Sequence, residues 1–232
     1  MNRTALNPVY VLHRRPYRNT SLVVDFFSEQ HGRVSAVARS ARGPQSRYRG
    51  NLQPFVPMQA SWSGSGELKT LNALELEGAP AFFSGKALAC ALYLNELLLR
   101  LLQRHDPYPR LYRLYEQTLS LLKQAELFEQ SLRLFEKNLL HELGYGLLLH
   151  CEARTGMAIN DHSYYRYHPE LGFMSSSEDH QEAQLFLGKS LLDLNREKLE
   201  NEQSLKDAKR LMRLVLNMYL GDKPVASREL LY

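Results

Sequence analysis

The spacing of apolar residues changes once along this chain, at Gly78-Ala79-Pro80, and that change constrains the fold more than any other feature. Before it, short runs rich in Val, Phe and Leu alternate with turn residues. Val9-Tyr10-Val11-Leu12 is expected to stop at Arg14-Arg15-Pro16. Ser21 to Phe27 follows, then a turn at Glu29-Gln30-His31-Gly32, then Val34 to Ala38. Arg39 to Gln53 is basic and polar, with Gly43-Pro44 and Gly50, and reads as a loop. Phe55 to Trp62 and Leu68 to Leu76, turned by Gly64 and Gly66, bring the strands to five. An open sheet of this size leaves a face and its edges bare, so a small closed barrel is the expected solution.

After the change the apolar residues recur at three- and four-residue steps. Leu88, Ala91, Leu92, Leu98, Leu101 and Leu102 predict a helix with Ser84 as N-cap, ended by Asp106-Pro107. Leu111 to Leu122 predicts a second helix, and Leu132 to Leu140 a third, closed by Gly144. The period is lost over residues 145–177, where Tyr164-Tyr165-Arg166-Tyr167, Pro169-Glu170-Leu171-Gly172 and Phe173-Met174 form a hairpin pattern. A last helix is expected from Gln203 to Leu220, ended by Gly221 and Pro224. The fold class is α+β: a five-stranded barrel over residues 1–79, then a helical domain over 80–232 with 145–177 as a small insertion.

Charge follows the same division. The whole chain of 232 residues carries only +4. Yet residues 1–66 hold nine Arg, no Lys and two acids (Asp25 and Glu29), a net of +7. From Glu67 onward 20 basic residues face 23 acidic ones. Arg14, Arg15 and Arg18 lie in the first inter-strand turn; Arg33, Arg39, Arg42, Arg47 and Arg49 lie in and before the loop, with Tyr48 between the last two. Phosphates need positive charge along a track, and unpaired bases stack on aromatic or guanidinium planes. Closing the barrel can bring both clusters to one rim, so Arg14, Arg15, Arg33, Arg39, Arg42, Arg47, Tyr48 and Arg49 are the candidate nucleic-acid contacts; a merely solvated loop is the alternative. Lys206, Lys209, Arg210 and Arg213 share a face of the last helix by their spacing, for which a solvated face is the ordinary account.

Catalytic patterns fail on inspection. His141-Glu142 opens like a zinc-protease motif, but Tyr145 stands where the second His is required. His150, Cys151, His162 and His168 lack paired ligand spacing, and Gly64-x-Gly66 and Gly144-x-Gly146 lack the rest of a phosphate loop. Cys90 and Cys151 cannot build a disulfide framework. No apolar signal core opens the chain, and Ala87 to Leu102 is too short and polar to span a bilayer. The expectation is a soluble, cytoplasmic protein that is not an enzyme and carries no cofactor or metal.

An ordered set of segments adds to this reading. Asn7-Pro8-Val9-Tyr10-Val11-Leu12-His13-Arg14-Arg15-Pro16-Tyr17, then Ala38-Arg39-Ser40-Ala41-Arg42-Gly43, Leu52-Gln53-Pro54-Phe55, Tyr93-Leu94-Asn95-Glu96-Leu97, Leu143-Gly144-Tyr145-Gly146, Leu220-Gly221-Asp222-Lys223-Pro224 and Ser227-Arg228-Glu229-Leu230 resemble the RecO proteins of DNA repair and recombination, over nearly the whole chain. The resemblance implies that the barrel is an OB-fold and that the insertion is zinc-ribbon-like. It implies binding of single- and double-stranded DNA, annealing of complementary strands and, with RecR, help in loading RecA onto DNA coated by single-strand-binding protein. Many members carry four cysteines in the insertion; here Cys151 stands alone, which resembles the metal-free branch. Members also bind the acidic, apolar-tipped tail of single-strand-binding protein. Arg133 and Lys137 beside Leu134, with Lys209, Arg210 and Arg213, are the candidate receptor for that tail. The competing functional reading is an RNA-binding OB-fold module with a helical assembly domain.

Overall fold

The structure is a computed structural model that describes residues 4–48, 50–78, 82–176 and 184–231. Its first five strands are β1 (Asn7–Tyr17), β2 (Ser21–Ser28), β3 (Gly32–Ala38), β4 (Met58–Ser63) and β5 (Leu68–Leu76). They close into a barrel in the order β1-β2-β3-β5-β4, with β3 and β5 parallel and the other pairs antiparallel. That order and closure are those of an OB-fold, as expected. Val9, Val11, Val24, Phe26, Val34, Ala36, Met58 and Ala60 fill the interior, and Tyr48, Leu52 and Val56 of the long loop join them.

Two strands differ from the sequence reading. β1 runs through Arg14-Arg15-Pro16 to Tyr17, with Pro16 opposite Leu22. β4 pairs with β1 only over Asn7–Val9, so the far half of β1 is an edge, where a proline is accepted. β4 starts at Met58 rather than Phe55, because Phe55 sits at φ 66 and Pro57 precedes the ladder. β1 also carries a bulge: Val11 pairs with Phe26 and His13 with Asp25, leaving Leu12 as the extra residue.

The helices are α1 (Gly85–Leu101), α2 (Pro109–Leu121), α3 (Phe128–Glu142), α4 (Gly188–Asn195) and α5 (Glu202–Leu220). Packing divides the chain into residues 1–123 with 225–232, and residues 124–224. This is not the place where the apolar period changes. Tyr10 and Phe27 project from the outer wall of the barrel and need cover; their rings meet Tyr112 and Tyr115 of α2 at centroid distances of 5.1–6.1 Å. α1 adds Asn95, whose Nδ2 donates to the carbonyls of Val11 and Leu12 at the bulge, 3.2 and 3.0 Å. Gly32 tightens the same unit: a Cβ there would lie 1.8 Å from the Asp106 carbonyl oxygen, and its φ of +62 suits glycine.

The second unit packs α3, α4 and α5 with a three-stranded sheet of order β7-β6-β8, made of β6 (Tyr164–His168), β7 (Gly172–Ser175) and β8 (Leu185–Leu187). The hairpin β6–β7 lies where the sequence placed it. β8 and α4 were not anticipated. α5 has Asn201 as N-cap, its Oδ1 accepting from the Ser204 amide at 2.7 Å. No described helix is long and apolar enough to cross a membrane.

Candidate nucleic-acid interface

The barrel gathers arginines at one end. β1 delivers Arg14 and Arg15 to the turn at residues 18–20, and β3 ends at Ala38, opposite Leu22. Arg39 therefore emerges beside that turn. The loop that follows lies across it: the Arg42 amide donates to the Thr20 carbonyl at 2.7 Å, and the Arg42 guanidinium reaches the carbonyls of Arg18 and Asn19. Further on, Arg47 Nη2 donates to the Asn72 carbonyl of β5 at 2.9 Å. Arg14 Nη1 donates to the Leu52 carbonyl at 3.0 Å. Arg14, Arg15, Arg18, Arg39, Arg42 and Arg47 are all exposed. Each bond to a carbonyl uses one or two of a guanidinium's five donors, so the remaining N–H groups stay available to phosphate oxygens.

Two of the expected contacts, Arg33 and Tyr48, take other places. Arg33 opens β3, at the opposite end of the barrel, and its guanidinium donates to the Leu99 carbonyl of α1. Burial, with Arg104 nearby, pulls it below the usual arginine range. It joins barrel to helix and is not part of the rim. Tyr48 is a core residue, only 4% exposed, with its hydroxyl donating to the Leu71 carbonyl at 3.2 Å and accepting from Arg47 at 2.6 Å. The barrel interior needs an apolar plug at the loop end, and Tyr48 supplies it, so its ring offers no face to a base. Arg49 lies outside the described residues. The aromatic residue that does reach the rim is Tyr17, half-buried at the end of β1, with the Arg18 guanidinium 5.3 Å from its ring centroid. Its place beside Arg14, Arg15 and Arg18 was the available signal.

The candidate tail receptor is likewise reordered within the second unit. Arg133 is 5% exposed and paired with Glu136 at 2.9 Å, so it is interior rather than a surface partner of Lys137. α3 is buried on both sides of this position, at Ser131, Leu132, Phe135 and Glu136, which the three-four spacing of its leucines does not disclose. Lys137 pairs with Glu197 at 2.9 Å, and burial of Glu197 is outweighed by Lys137 and Asn138, which hold that carboxyl below its usual range. Lys209 pairs with Glu129 at 3.2 Å. Arg210 pairs with Asp207, reaches the Leu185 carbonyl, and lies 4.6 Å from the Phe186 ring centroid. Arg213 is exposed.

A cleft of about 240 Å³ in this unit runs between Gly144–Leu148 and Glu170–Gly172, with Tyr145 and Tyr219 stacked at 4.0 Å along it. Tyrosines, leucines and glycines line it, and Glu170 is its one carboxylate. Among the described residues no group of three or more His, Cys, Asp or Glu is placed to hold a metal ion. Cys90 is buried and Cys151 is partly buried.

Comparison with known proteins covers the chain in two successive stretches. Residues 1–79 match the family model "Recombination protein O N terminal", and residues 83–229 match "Recombination protein O C terminal". The chain is 50% identical over 232 residues to the DNA repair protein RecO of Coxiella burnetii (strain RSA 331 / Henzerling II), covering 99% of each chain. It is 46% identical to that of Alkalilimnicola ehrlichii over 99% of this chain and 91% of the relative, and 44% identical to that of Nitrosococcus oceani over 99% and 93%. The chain belongs to the RecO family of DNA repair proteins.

Proposed function

We propose that this RecO protein is a non-enzymatic, DNA-binding recombination mediator whose barrel, residues 1–79, is the DNA-binding domain. In this reading it holds single strands by their phosphates, anneals complementary strands, and with RecR helps load RecA onto DNA coated by single-strand-binding protein. The observation that carries the reading is the exposed rim of Arg14, Arg15, Arg18, Arg39, Arg42 and Arg47 at one end of an OB barrel. Annealing asks for no general base. It asks that two like-charged strands be brought together with base edges left free, and guanidinium groups on phosphates meet both demands. Duplex DNA offers the same phosphates and binds the same rim. Capture of the acidic tail of single-strand-binding protein falls in this reading to the second unit, through Lys137, Lys209, Arg210 and the exposed Arg213. The protein then works in the cytoplasm, at the nucleoid.

The test is a titration of single strands at several salt concentrations. With about five phosphates contacted, log affinity should fall against log salt with a slope of about −3 to −4. Replacing Arg39, Arg42 and Arg47 by Gln keeps donors for the loop carbonyls and removes charge. It should flatten the slope by about 2, weaken all sequences alike, and slow annealing of both naked and coated strands. An unchanged slope in a triple variant with a wild-type melting curve overturns the assignment. Competition by RNA of the same sequence, equal to that by DNA, would favour the RNA-binding reading instead.

A further inference from the structure

A single strand differs from a duplex in exposing the faces of its bases, and an aromatic ring is the side chain that uses them. The barrel has few rings to offer. Tyr10, Phe26, Phe27, Tyr48, Phe55 and Trp62 are all buried, and Tyr17 is the remaining Tyr, Phe or Trp among the described residues up to Gly78. Resting on the reading of the arginine rim as a phosphate track, we propose that Tyr17 is the stacking platform for one unpaired base and the residue by which this barrel distinguishes single strands from duplex.

Three features of its placement carry this. Tyr17 is the last residue of β1, opposite Ser21, and alternation puts it on the same face as Arg15, which lies opposite Val23. A base on the ring therefore has a guanidinium two residues back along the strand for its phosphate. Next, the ring already holds a planar cation: the Arg18 guanidinium lies 5.3 Å from its centroid, which shows that the ring face has room for a flat group. A base takes that place, and the exposed Arg18, released, turns to the flanking phosphate. Finally, the turn that carries Arg18 is clamped rather than free. Arg18 sits at φ 50, and Arg42 donates to its carbonyl at 3.4 Å and to that of Asn19. Tyr17 thus stands directly before the turn to which Arg42 of the long loop is bonded. A single stack anchors the strand at one nucleotide and leaves its neighbours free to pair.

The experiment uses the full chain and three probes: a thymine oligonucleotide, an abasic deoxyribose-phosphate strand of the same length, and a duplex. Wild type should bind the thymine strand about tenfold more tightly than the abasic one. Tyr17→Leu should bring the thymine strand down to the abasic level, leave duplex affinity unchanged and keep the salt slope. Tyr17→Trp should restore the preference, and its emission should be quenched by the thymine strand and not by the abasic one. That last measurement also decides the matter if Tyr17→Leu fails to fold. Equal loss of all three affinities in Tyr17→Leu, or quenching of Tyr17→Trp that does not depend on bases, overturns the proposal. The two readings separate cleanly. If the Arg39, Arg42 and Arg47 variant keeps the wild-type salt slope, the rim itself fails; if it flattens the slope while Tyr17→Leu keeps the tenfold preference, the rim stands and the stacking platform falls.

Discussion

Two sets of polar side chains inside this protein show how such groups serve the backbone and one another. The bulge in β1 turns the carbonyls of Val11 and Leu12 away from the ladder, and Asn95 answers both with one amide nitrogen while its Oδ1 accepts from the Tyr115 hydroxyl at 2.6 Å. All three groups are buried, so a leucine at position 95 would leave carbonyls and a hydroxyl bare. Arg133 and Glu136 do the same for each other in the second unit, with side chains 6% and 1% exposed. A buried pair of this kind is costly to break and much less costly to replace. Arg133→Ala should therefore destabilise the second unit by about 3–5 kcal/mol, because it takes the guanidinium away from a carboxyl buried at 1% exposure. Arg133→Met with Glu136→Leu should cost far less than that single change. Urea denaturation followed by circular dichroism tests both; equal stability of Arg133→Ala and wild type would show that the pair is wet. Charge reversal at Arg133 then reports on folding before it reports on any partner. Sequence spacing placed Arg133 and Lys137 one turn apart, correctly, but a turn's spacing does not say which flank of a helix is covered.

At the scale of elements, the last residues of the chain are tied back to α1. Glu96 accepts from the amides of Ala226 and Ser227 at 3.0 and 2.8 Å and from the Ser227 hydroxyl at 2.7 Å, and Arg228 lies 5.7 Å from the Tyr93 ring centroid. The carboxylate thus satisfies the first amides of the 3-10 helix at Ala226–Leu231. Burial acts to raise the Glu96 carboxyl, but the bonds from Ser227, Ala226 and Arg100 together take it below the usual glutamate range. A carboxyl depressed on folding lends stability above its unfolded value and loses it as pH falls through the folded one. Glu96→Gln should therefore cost about 1–2 kcal/mol at neutral pH. The gap from wild type should begin to narrow as pH drops below about 4, where the unfolded carboxyl takes up its proton, and should close only as pH falls through the lower folded value. Thermal melts from pH 7 to pH 3 test this, and a gap that stays constant to pH 3 would contradict it. The elements themselves were legible where a pattern ran long enough to show its period. β2, β3, β5 and the four longer helices fall close to their expected limits, whereas β8 has three residues and α4 eight, too few to display a repeat. Pro16 misled in the other direction, since a proline reads as a stop and an edge strand tolerates it.

At the scale of the whole molecule, the change of period at residues 78–80 divides secondary structure, and the family models divide the chain there too, yet packing keeps α1, α2 and the last residues with the barrel. The reason lies in one wall of the barrel. Val9, Val11 and Phe26 were readable as core from their alternation, but Tyr10 and Phe27 point the other way and are buried as well, at 5% and 0% exposed. A strand apolar on both faces has a second layer against it, and no local pattern says which later segment supplies that layer. The rim arginines were legible as a cluster because charge density survives folding; Arg33, before the third strand where Arg39 follows it, was already marked by the sequence as belonging to the other end, whereas Tyr48 was not separable, because the sequence does not tell which loop residue plugs the interior. The packing division makes a definite forecast. A fragment of residues 1–79 exposes Tyr10 and Phe27 and leaves the bulge carbonyls to water, and each lost aromatic contact removes about 1.5–3 kcal/mol. A small barrel with a modest core does not survive two such losses. Residues 1–123 keep Asn95, Tyr112 and Tyr115 and should melt cooperatively, whereas residues 1–79 should show no cooperative transition and weak near-ultraviolet dichroism. Thermal melts of the two fragments beside the full chain decide it: a 1–79 fragment that melts as sharply as 1–123, and at the same temperature, would mean that the barrel carries its own stability and that the helices merely lie against it.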